Sequence, residues 1–401
     1  MRNSKTTTRS RARKKKPAPG LVPKVALLFE TPNAYSRGVL LGIGEYISRH
    51  GPWRVHFAEH GAHEGPPAWL TNWDGDGIII RSENRRITRK VAQMNLPVVD
   101  MTPSRLLPHA PWIKADDVAV AGLAAQHFLE RGFQHFGFCG KAGFRWSEAR
   151  QAHFAEMLRR HGHECLLYRP PRRPANGDAE ADAIAGWLQT LPKPVAVFAC
   201  YDGRGQQVLD GCRRAGLRVP EEVAVLGVDN DDVLCSLSPP PLSSIVLNAR
   251  RAGSEASALL EAMMRGEKVG AAEHLVPPLD VATRQSSDIL ATNDPQVARA
   301  LGYIREHALE GIGVGDVLSH SPMARRTLEL RFQKLLGRSP AEEILRVRMN
   351  HVKRLLAGTA LTLKEIAART GFEHAEYLSV LFKRESGMTA SEFRNRNSPV
   401  G

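Results

Sequence analysis

Two stretches near the end of the chain decide much of its fold: residues 321–337 read SPMARRTLELRFQKLLG, and residues 371–387 read GFEHAEYLSVLFKRESG. Phe332 and Phe382 occupy matching places in them, fifty residues apart. Around each Phe, apolar residues recur at helical spacing and polar residues fill the opposite face, which is typical of an amphipathic helix. The two stretches therefore predict a duplicated helical unit.

Capping residues indicate where the first of these helices begins and ends. Ser321 followed by Pro322 predicts an N-cap and the first helical position. Gly337 predicts the end of the helix, because glycine readily adopts the backbone conformation that closes one. The side chains expected to face a core are Leu328, Phe332 and Leu335.

A long helix separates the two units. It is predicted over residues 340–357, about 25 Å at 1.5 Å per residue. After it, Thr362 and Glu365 form a capping box, Gly371 makes a turn, and a further helix spans about 374–385. This order predicts two helix-turn-helix units, whose recognition helices, about 34 Å apart, enter successive major grooves of DNA.

Residues 326–394 resemble the AraC-type DNA-binding domain through the patterns RF.K..G.SP, EIA…GF and YLS..FKR..G.T.SEFR. The resemblance implies that the recognition helices present base-contacting side chains, because Arg pairs with guanine and Glu accepts from cytosine. The implied DNA-binding residues are Arg325, Arg326, Glu329, His374, Ala375, Glu376, Ser379, Lys383 and Arg384. The alternative for any single Arg is a solvated helix face.

More specific roles in DNA binding are expected for some residues of this region. Lys383, Arg384 and Arg338 are expected to contact phosphates rather than bases. Leu330 and Val380 stand where the AraC-type family often has Arg. They are expected either to touch thymine methyl groups or to pack in the core.

The larger part of the chain alternates short apolar runs with helical patterns. The runs fall at residues 25–29, 55–58, 77–80, 97–100, 136–139, 165–168, 195–199 and 223–228. Buried strands that alternate with helices indicate parallel sheets, and this many strands favour two lobes. We therefore predict a two-lobed α/β fold with doubly wound parallel sheets, followed by an all-α double helix-turn-helix domain.

Composition and charge divide the chain into three predicted segments. Residues 1–20 carry eight Lys or Arg and no acid, which predicts a disordered basic tail, either solubilising or weakly attracted to DNA. A stretch of polar residues then separates a predicted effector domain at 21–288 from a predicted DNA-binding domain at 289–401. Residues 21–289 have thirty basic and thirty acidic residues, whereas residues 290–401 have seventeen and twelve. This split favours a neutral ligand-binding body with basic, DNA-facing ends.

Polar and aromatic side chains follow the predicted strands, where the carboxyl ends of parallel strands bind small ligands. A sugar site needs planar polar groups and an aromatic platform. The candidates are Tyr35, Arg37, Arg145, Trp146, Arg150, Asp202, Arg204, Asp229 and Asn230. Alternatively, Asp202 caps a helix, Asp229 lies in a turn and Trp146 lies in the core. Asp116 and Asp117 favour an N-cap over a ligand role.

The body resembles the LacI/GalR-type periplasmic-binding-protein fold in KVALLFETPNAYSRGVLLGIGEY and AVFACYDGRGQQVLDGCRRAGLRVPEEVAVLGVDNDDV. With the AraC-type end and FRWSEARQAHF, residues 24–396 resemble the xylose operon regulator family. The resemblance implies an activator of pentose-utilisation genes that binds a D-xylose-like sugar and double-stranded DNA, forms a homodimer and contacts RNA polymerase. The ligand-handling positions that it implies are Arg150, Asp202, Arg204, Asp229 and Asn230.

Two positions depart from these patterns. Arg81 stands where the xylose operon regulator family has an acidic residue, and Tyr201 stands where LacI-type proteins commonly have Asn. A positive side chain in a sugar pocket changes both hydroxyl pairing and charge. Another pentose or an acidic sugar is therefore the alternative effector.

Other functional classes find less support in the sequence. There is no GxSxG, complete nucleotide loop or metal-ligand cluster, so we expect no enzyme, cofactor or metal site. The five cysteines include no CxxC, which predicts reduced thiols in the cytoplasm. The sequence has neither an apolar run of about 18 residues nor a signal core, so we expect no membrane association. A receptor that only binds and delivers sugar is the alternative from another class.

Overall fold

The computed structural model describes residues 22–59, 65–170, 177–289 and 294–397, so the predicted basic tail lies outside the described residues. Its twelve described strands form two six-stranded sheets. The strands of the first sheet are β1 (Lys24–Phe29), β2 (Arg54–Glu59), β3 (Gly77–Arg81), β4 (Val98–Asp100), β5 (Trp112–Ala115) and β11 (Glu273–Val276). Those of the second are β6 (His135–Cys139), β7 (Cys165–Leu167), β8 (Val195–Ala199), β9 (Val223–Val228), β10 (Ser243–Val246) and β12 (Asp280–Ala282).

Each sheet is the centre of one lobe. The first sheet, in lobe 1, has the order β11-β5-β4-β3-β1-β2, and all its strand pairs are parallel. The second sheet, in lobe 2, has the order β12-β10-β9-β8-β6-β7, and only β12 is antiparallel to its neighbour. The helices of the lobes are α1 (Ala34–His50), α2 (Arg85–Ala92), α3 (Asp117–Leu129), α4 (Arg145–Arg160), α5 (Gly177–Thr190), α6 (Asp202–Ala215), α7 (Asp232–Leu237) and α8 (Ala249–Met264).

Three crossings of the chain connect the lobes. The chain leaves lobe 1 after β5, returns to it after β10, and leaves it again between β11 and β12. The first crossing leads directly into α3, which packs against α4 of lobe 2. Side chains at the start of α3 therefore lie between the two lobes.

Lobe 1 depends on a close contact between α1 and α8. Gly42 and Gly253 allow it, because a methyl group on Gly42 would overlap the backbone carbonyl of Arg250. A methyl group on Gly253 would likewise overlap the carbonyl oxygen of Val39. Backbone atoms cannot move aside as a flexible side chain does, so glycine is required at both positions.

The rest of the described chain is helical. Its helices are α9 (Pro295–His307), α10 (Val314–His320), α11 (Arg325–Leu336), α12 (Pro340–Gly358), α13 (Leu363–Arg369), α14 (Ala375–Ser386) and α15 (Ala390–Asn397). The pairs α10–α11 and α13–α14 are the two helix-turn-helix units, and each has its own apolar core around Phe332 or Phe382. Helix α12 contributes Ile344 to the first core and Val352 to the second, so it joins the two units.

A polar contact and a backbone contact also join the two units. The Arg348 guanidinium on α12 donates to the carbonyls of Ala308 and Ile312, each at 2.7 Å, and lies over the Phe372 ring. At Gly371, which has a φ of 73°, a methyl group would collide with the backbone nitrogen of Gly311. The units are therefore held as one body.

The predicted fold class is confirmed, whereas two predictions for the first helix-turn-helix unit are wrong. Ser321 is not an N-cap but follows the last residue of α10, and its hydroxyl donates to the Gln296 carbonyl. Helix α11 begins at Arg325. Leu335 is not a core residue but is exposed, because Leu328 and Phe332 already fill the core side of α11.

We expect Gly253→Ala to lower the free energy of unfolding by roughly 2 kcal/mol or more, because the added methyl group forces α1 and α8 apart. The matched control is Gly44→Ala on α1, where nothing lies within 4 Å of the added carbon. Alanine is the better helix former there, so this control should be stabilised by about 0.5–1 kcal/mol. Thermal melting of both variants measures the difference, and equal melting temperatures would contradict the role given to the α1–α8 contact.

Candidate functional site

A cavity of about 290 Å³ lies between the lobes, lined by residues of both. Glu30 and Arg81 of lobe 1 line it at the ends of β1 and β3, and Lys141 and Asp229 of lobe 2 line it just past β6 and β9. All four strands thus point their carboxyl ends at the cavity, where ligands bind in open parallel sheets.

Charged side chains of both signs line this cavity. The positive residues are Arg81, Lys114, Lys141 and Arg150. The negative residues are Glu30, Glu83, Asp117 and Asp229. A small hydroxylated molecule would find both donors and acceptors here.

Asp117 and Arg150 form the buried ion pair of the cavity. The Arg150 Nε donates to the Asp117 carboxylate at 2.9 Å, and both side chains are less than one-tenth exposed. Arg150 also donates to the Cys200 carbonyl at 2.6 Å, while the Lys114 ammonium approaches the other Asp117 oxygen at 3.0 Å. Asp116 caps α3 instead, accepting from the backbone nitrogens of residues 118 and 119.

An aromatic wall stands on the lobe 2 side of the cavity. The Trp146 ring lies 5.9 Å from the Phe144 ring and 5.9 Å from the Tyr201 ring, centroid to centroid. All three residues line the cavity. Their rings can cover the apolar face of a sugar, which is the role predicted for Trp146 alone.

Asp229 is held in a strained position at the edge of the cavity. Its backbone φ is 107°, and Asn230 next to it has a φ of 50°, conformations that are unusual for residues other than glycine. Strain of this kind clusters at functional sites. Burial raises the pKa of the Asp229 carboxyl, although the positive charges of Arg150 and Arg81 oppose the shift.

Two predicted ligand residues, Asp202 and Asn230, lie outside the cavity lining, next to Asp229. The Asp202 carboxylate accepts from the Ser244 hydroxyl at 2.5 Å and from the Asp231 backbone nitrogen at 2.7 Å. The Asn230 backbone donates to the same Ser244 hydroxyl at 3.0 Å. Asp202 therefore supports the strained loop that carries Asp229, and it accepts no bond that would cap a helix.

Three predicted arginines are also outside the cavity lining. Arg37 of lobe 1 pairs with Asp231 of lobe 2 at 2.8 Å, so it links the lobes beside the cavity. Arg204 is buried and pairs with Glu180 at 2.7 Å. Arg145 is exposed in the first turn of α4. Tyr35, Trp146, Arg150 and Asp229 are the predicted ligand residues that line the cavity.

Sequence reasoning did not select several residues that line the cavity. They include Glu30, Glu83, Lys114, Lys141, Phe144 and Tyr201. Most of them lie within a few residues of the end of a predicted strand, where the rule that selected Tyr35 and Asp229 also applied, whereas Lys114 lies on β5, outside the predicted runs. Arg81 and Tyr201, singled out only as departures from family patterns, both line the cavity.

The predicted DNA-binding residues lie on α11 and α14. Arg325 and Arg326 are exposed in the first turn of α11, and Arg325 pairs with Glu329 at 3.0 Å. Exposed at the start of α14 and along it are His374, Glu376, Ser379, Lys383 and Arg384, with Ala375 half-buried among them. Both sets occupy corresponding faces of the two units.

The structure removes one of the two alternatives for Leu330 and Val380 and gives Arg338 other partners than the expected phosphate. Leu330 and Val380 are 63% and 72% exposed, so they do not pack in a core. Arg338 turns toward the effector domain, where its Nε donates to Glu343 at 2.5 Å and its Nη2 donates to the Glu130 carbonyl at 3.3 Å. It is therefore engaged within the protein, away from a phosphate.

A cluster of charged residues around the buried Glu343 joins the DNA-binding domain to lobe 2. Arg346 on α12 pairs with Glu343 at 2.7 Å and with Glu130, which follows α3 directly. Burial alone would raise the pKa of Glu343, but hydrogen bonds and charges from Arg346 and Arg338 outweigh it and lower the pKa to about 2. On α9, Arg305 pairs with Asp288 at 3.1 Å. We call Glu130, Arg338, Glu343 and Arg346 the junction cluster.

Three family models match the chain, in agreement with this architecture. Residues 24–117 match the XylR N-terminal domain, residues 125–287 match the periplasmic binding protein-like domain, and residues 319–396 match the helix-turn-helix domain.

Relatives over nearly the full length are regulators. The chain is 31% identical over 386 residues to the xylose operon regulatory protein of Escherichia coli (strain K12), covering 94% of this chain and 98% of that protein. It is also 31% identical over 380 residues to the xylose operon regulatory protein of Haemophilus influenzae, covering 92% and 98%.

A solved structure of the same architecture is similar to this one. It is the structure of the xylose-binding transcription activator XylR, with a TM-score of 0.61 and 30% sequence identity over 94% of this chain and 99% of that one. Among the residues described here, every helix is too short or too polar to span a bilayer. Within the same ranges, no three His, Cys, Asp or Glu side chains are grouped as a metal site requires.

The lowered pKa of Glu343 predicts acid sensitivity at the junction cluster. A carboxylate whose pKa falls from 4.5 to about 2 on folding contributes stability that is fully present above about pH 5 and is lost as pH falls toward 2. Glu343→Gln should therefore cost on the order of 3 kcal/mol at neutral pH and reduce the loss of stability between pH 5 and 3.

Unfolding followed by far-ultraviolet circular dichroism at several pH values measures this effect. Glu373→Gln is the matched control, because Glu373 is an exposed residue of the same domain. A Glu343→Gln variant with the same acid sensitivity as the unaltered protein would contradict the ion-pairing given to Glu343.

Proposed function

The chain belongs to the family of xylose operon regulatory proteins and is a DNA-binding transcription regulator, not an enzyme; we propose that a xylose-type monosaccharide bound between its lobes controls its affinity for DNA. The single observation that carries this proposal is the cavity between the lobes, which combines paired charges with an aromatic wall. Its lining has the donors, acceptors and ring surface by which proteins hold sugars.

Within this proposal, the sugar binds against Tyr35 and Arg81 of lobe 1 and against Trp146, Arg150 and Asp229 of lobe 2. Arg150 is fixed by Asp117 and Cys200, so it presents its remaining N–H groups in a set direction. A ligand that contacts both lobes binds the closed arrangement more tightly than the open one. Its differential affinity then shifts the population toward closure.

DNA recognition is assigned to the exposed faces of α11 and α14. Arg325, Arg326 and Glu329 on the first helix, and the corresponding residues of the second, have base-reading chemistry. Leu330 and Val380, exposed at matching positions fifty residues apart, are placed against thymine methyl groups. Lys383 and Arg384 are assigned to phosphates.

The proposal extends to assembly and regulation. The protein acts as a cytoplasmic homodimer that binds DNA and contacts RNA polymerase to activate genes for pentose use. The relatives are named as xylose operon regulators, and the related structure is named as an activator. A pair of these domains suits operators with repeated half-sites, whose spacing follows from the symmetry of the dimer.

Helix α3 is the proposed route from the cavity to the DNA-binding domain. Its first residue is Asp117, which lines the cavity, and Glu130, just past its last residue, pairs with Arg346 of α12. The 13 residues of α3 form a rod of about 20 Å. A shift of α3 on lobe closure therefore moves the anchor of the DNA-binding domain.

The experiment that tests the function measures melting temperature and DNA affinity with and without sugar. A sugar at a hundred times its dissociation constant should stabilise the protein by about 2.7 kcal/mol and should change its affinity for operator DNA. Glu130→Gln should keep the stabilisation and lose most of the effect of sugar on DNA affinity, because the ion pair to Arg346 is weakened. The control is Glu221→Gln, an exposed residue of lobe 2. No stabilisation by any monosaccharide would overturn the proposed function.

Arg326→Ala should weaken specific DNA binding by about 1–3 kcal/mol and relax the preference at a single base position, because a base-contacting Arg is lost. Lys383→Ala should instead weaken binding evenly across DNA sequences and reduce its salt dependence. Arg89→Ala, an exposed Arg of lobe 1, is the control. Competition binding at two salt concentrations separates these effects, and a uniform loss for Arg326→Ala would assign Arg326 to phosphates.

A further inference from the structure

The charges that line the cavity are not all neutralised in the same way. Arg150 and Lys114 are both paired with Asp117. Arg81 and Lys141, by contrast, have no carboxylate within ion-pair distance among the described residues. One belongs to lobe 1 and the other to lobe 2, so the cavity has an unpaired cation on each side.

Neutral groups surround both of these cations. The Arg81 guanidinium donates to the Ser36 hydroxyl and to the Met101 carbonyl, each at 3.0 Å. The Lys141 ammonium lies 4.4 Å from the centre of the Phe144 ring and 5.7 Å from that of the Tyr201 ring. These contacts hold the two cations in place without cancelling their charges.

The carboxyls across the cavity compensate them only in part. Glu30 accepts from the Ser82 hydroxyl and the Glu83 backbone at 2.9 and 3.0 Å, and the Glu83 carboxylate accepts from the Ser104 backbone at 3.0 Å. Both carboxylates thus accept hydrogen bonds from loop residues of lobe 1. Asp229 interacts with the Arg81 charge without forming an ion pair with it, and burial raises the pKa of the Asp229 carboxyl.

Arg81 is already oriented for a planar anion. Its two hydrogen bonds use Nε and Nη1, and no bond from Nη2 to a described residue is found. The guanidinium carbon lies 4.7 Å from the centre of the Tyr35 ring, which fixes the plane of the group. Because a fixed side chain loses little freedom on binding, a carboxylate would gain most of the charge-assisted hydrogen-bond energy.

A buried hydroxyl beside Arg81 independently points to a ligand. Tyr35 is only 6% exposed and lines the cavity, yet its hydroxyl has no hydrogen-bond partner among the described residues. Buried polar groups are nearly always hydrogen-bonded in folded proteins. A polar ligand atom next to the Arg81 guanidinium would supply the missing partner.

We infer that the effector is a uronic acid, a monosaccharide whose carboxylate pairs with Arg81 while its hydroxyls meet Tyr35 and Asp229. This inference rests on the proposed function, since it narrows the xylose-type monosaccharide of the same cavity to one whose ring carries a carboxylate. Lys141, reaching in from lobe 2, adds positive potential to the bound anion. An anionic sugar therefore favours closure of the lobes more than a neutral sugar does.

Four compounds that share the same pyranose ring and differ in the substituent on C5 test this inference on the full chain by isothermal titration calorimetry. That substituent is hydrogen in D-xylose, a hydroxymethyl group in D-glucose and a carboxylate in D-glucuronate. In D-glucose 6-phosphate it is a hydroxymethyl group esterified with phosphate. D-glucuronate should bind at least tenfold more tightly than either neutral sugar and more tightly than the phosphate ester. D-galacturonate against D-galactose and L-arabinose repeats the comparison with the other C4 configuration.

Matched variants assign the preference to named residues. Arg81→Gln should weaken D-glucuronate binding at least tenfold more than it weakens the binding of neutral sugars, because only the acid loses a charged partner. Lys141→Gln should weaken D-glucuronate binding severalfold in the same selective way, and it tests the inference should Arg81→Gln fail to fold. Arg89→Gln, which removes an exposed charge of lobe 1, should change neither affinity.

Three results would overturn the inference, and they differ in what they leave standing. Tightest binding of D-xylose, D-glucose or the phosphate ester would leave a sugar-responsive regulator without a carboxylate site. Equal losses for acid and neutral sugars in Arg81→Gln would make Arg81 a residue that shapes the cavity. Binding of none of the compounds would remove the proposed function as well.

Discussion

The buried ion pair between Asp117 and Arg150 is the interaction on which the rest of the effector domain depends. It lies at the first crossing between the lobes, with both side chains less than one-tenth exposed. Desolvating two charges is costly, and removing one partner of such a pair typically costs roughly 3–5 kcal/mol. The further bonds of Arg150 to Cys200 and of Asp117 to Lys114 offset this desolvation cost. Its position thus fixes the start of α3 relative to both lobes.

A rigid helix with charged contacts at both ends has a mechanical consequence. Asp117 belongs to the cavity, and Glu130 at the other end belongs to the junction cluster. Because the interior of a folded protein is close-packed, we expect α3 to respond to the proposed lobe closure by shifting as a unit rather than by bending. The pair between Glu130 and Arg346 then passes the shift to α12, where Glu343, 1% exposed, holds Arg346 in place through a second ion pair. The junction is polar and directional, so it distinguishes arrangements that an apolar contact would tolerate equally.

Most of the architecture could be predicted from the sequence, because strong hydrophobic periodicity encodes it. Strands with long apolar runs, such as β8 and β9, were predicted at their observed bounds. The strands β5, β10, β11 and β12 lie outside the predicted runs, because they are short and carry polar residues such as Ser243 and Glu273. Their identity as strands comes from pairing with distant neighbours, which no local pattern reveals.

The site was predicted less completely, for a different physical reason. The rule that residues just past strand ends line the site correctly selected Tyr35, Trp146 and Asp229. It does not predict which polar side chains instead form hydrogen bonds or ion pairs within the protein. Asp202 turns to Ser244, and Arg204 turns to Glu180. Such pairings depend on residues that are distant in sequence. They decide whether a charged group remains for a ligand or is used in the fold.

Contacts within the DNA-binding domain limit the structural changes that a bound effector can cause there. Arg348 ties α12 to the carbonyls of the first unit and to Phe372 of the second, while Gly371 brings the backbones of the two units together. Helix α12, with 19 residues, rises about 28 Å along its axis and joins the two units. Since these contacts hold α11 and α14 in one body, an effector has little scope to alter the distance between them. The proposed regulation therefore acts through the orientation of the whole domain, and the junction cluster is the place where we expect that orientation to be set.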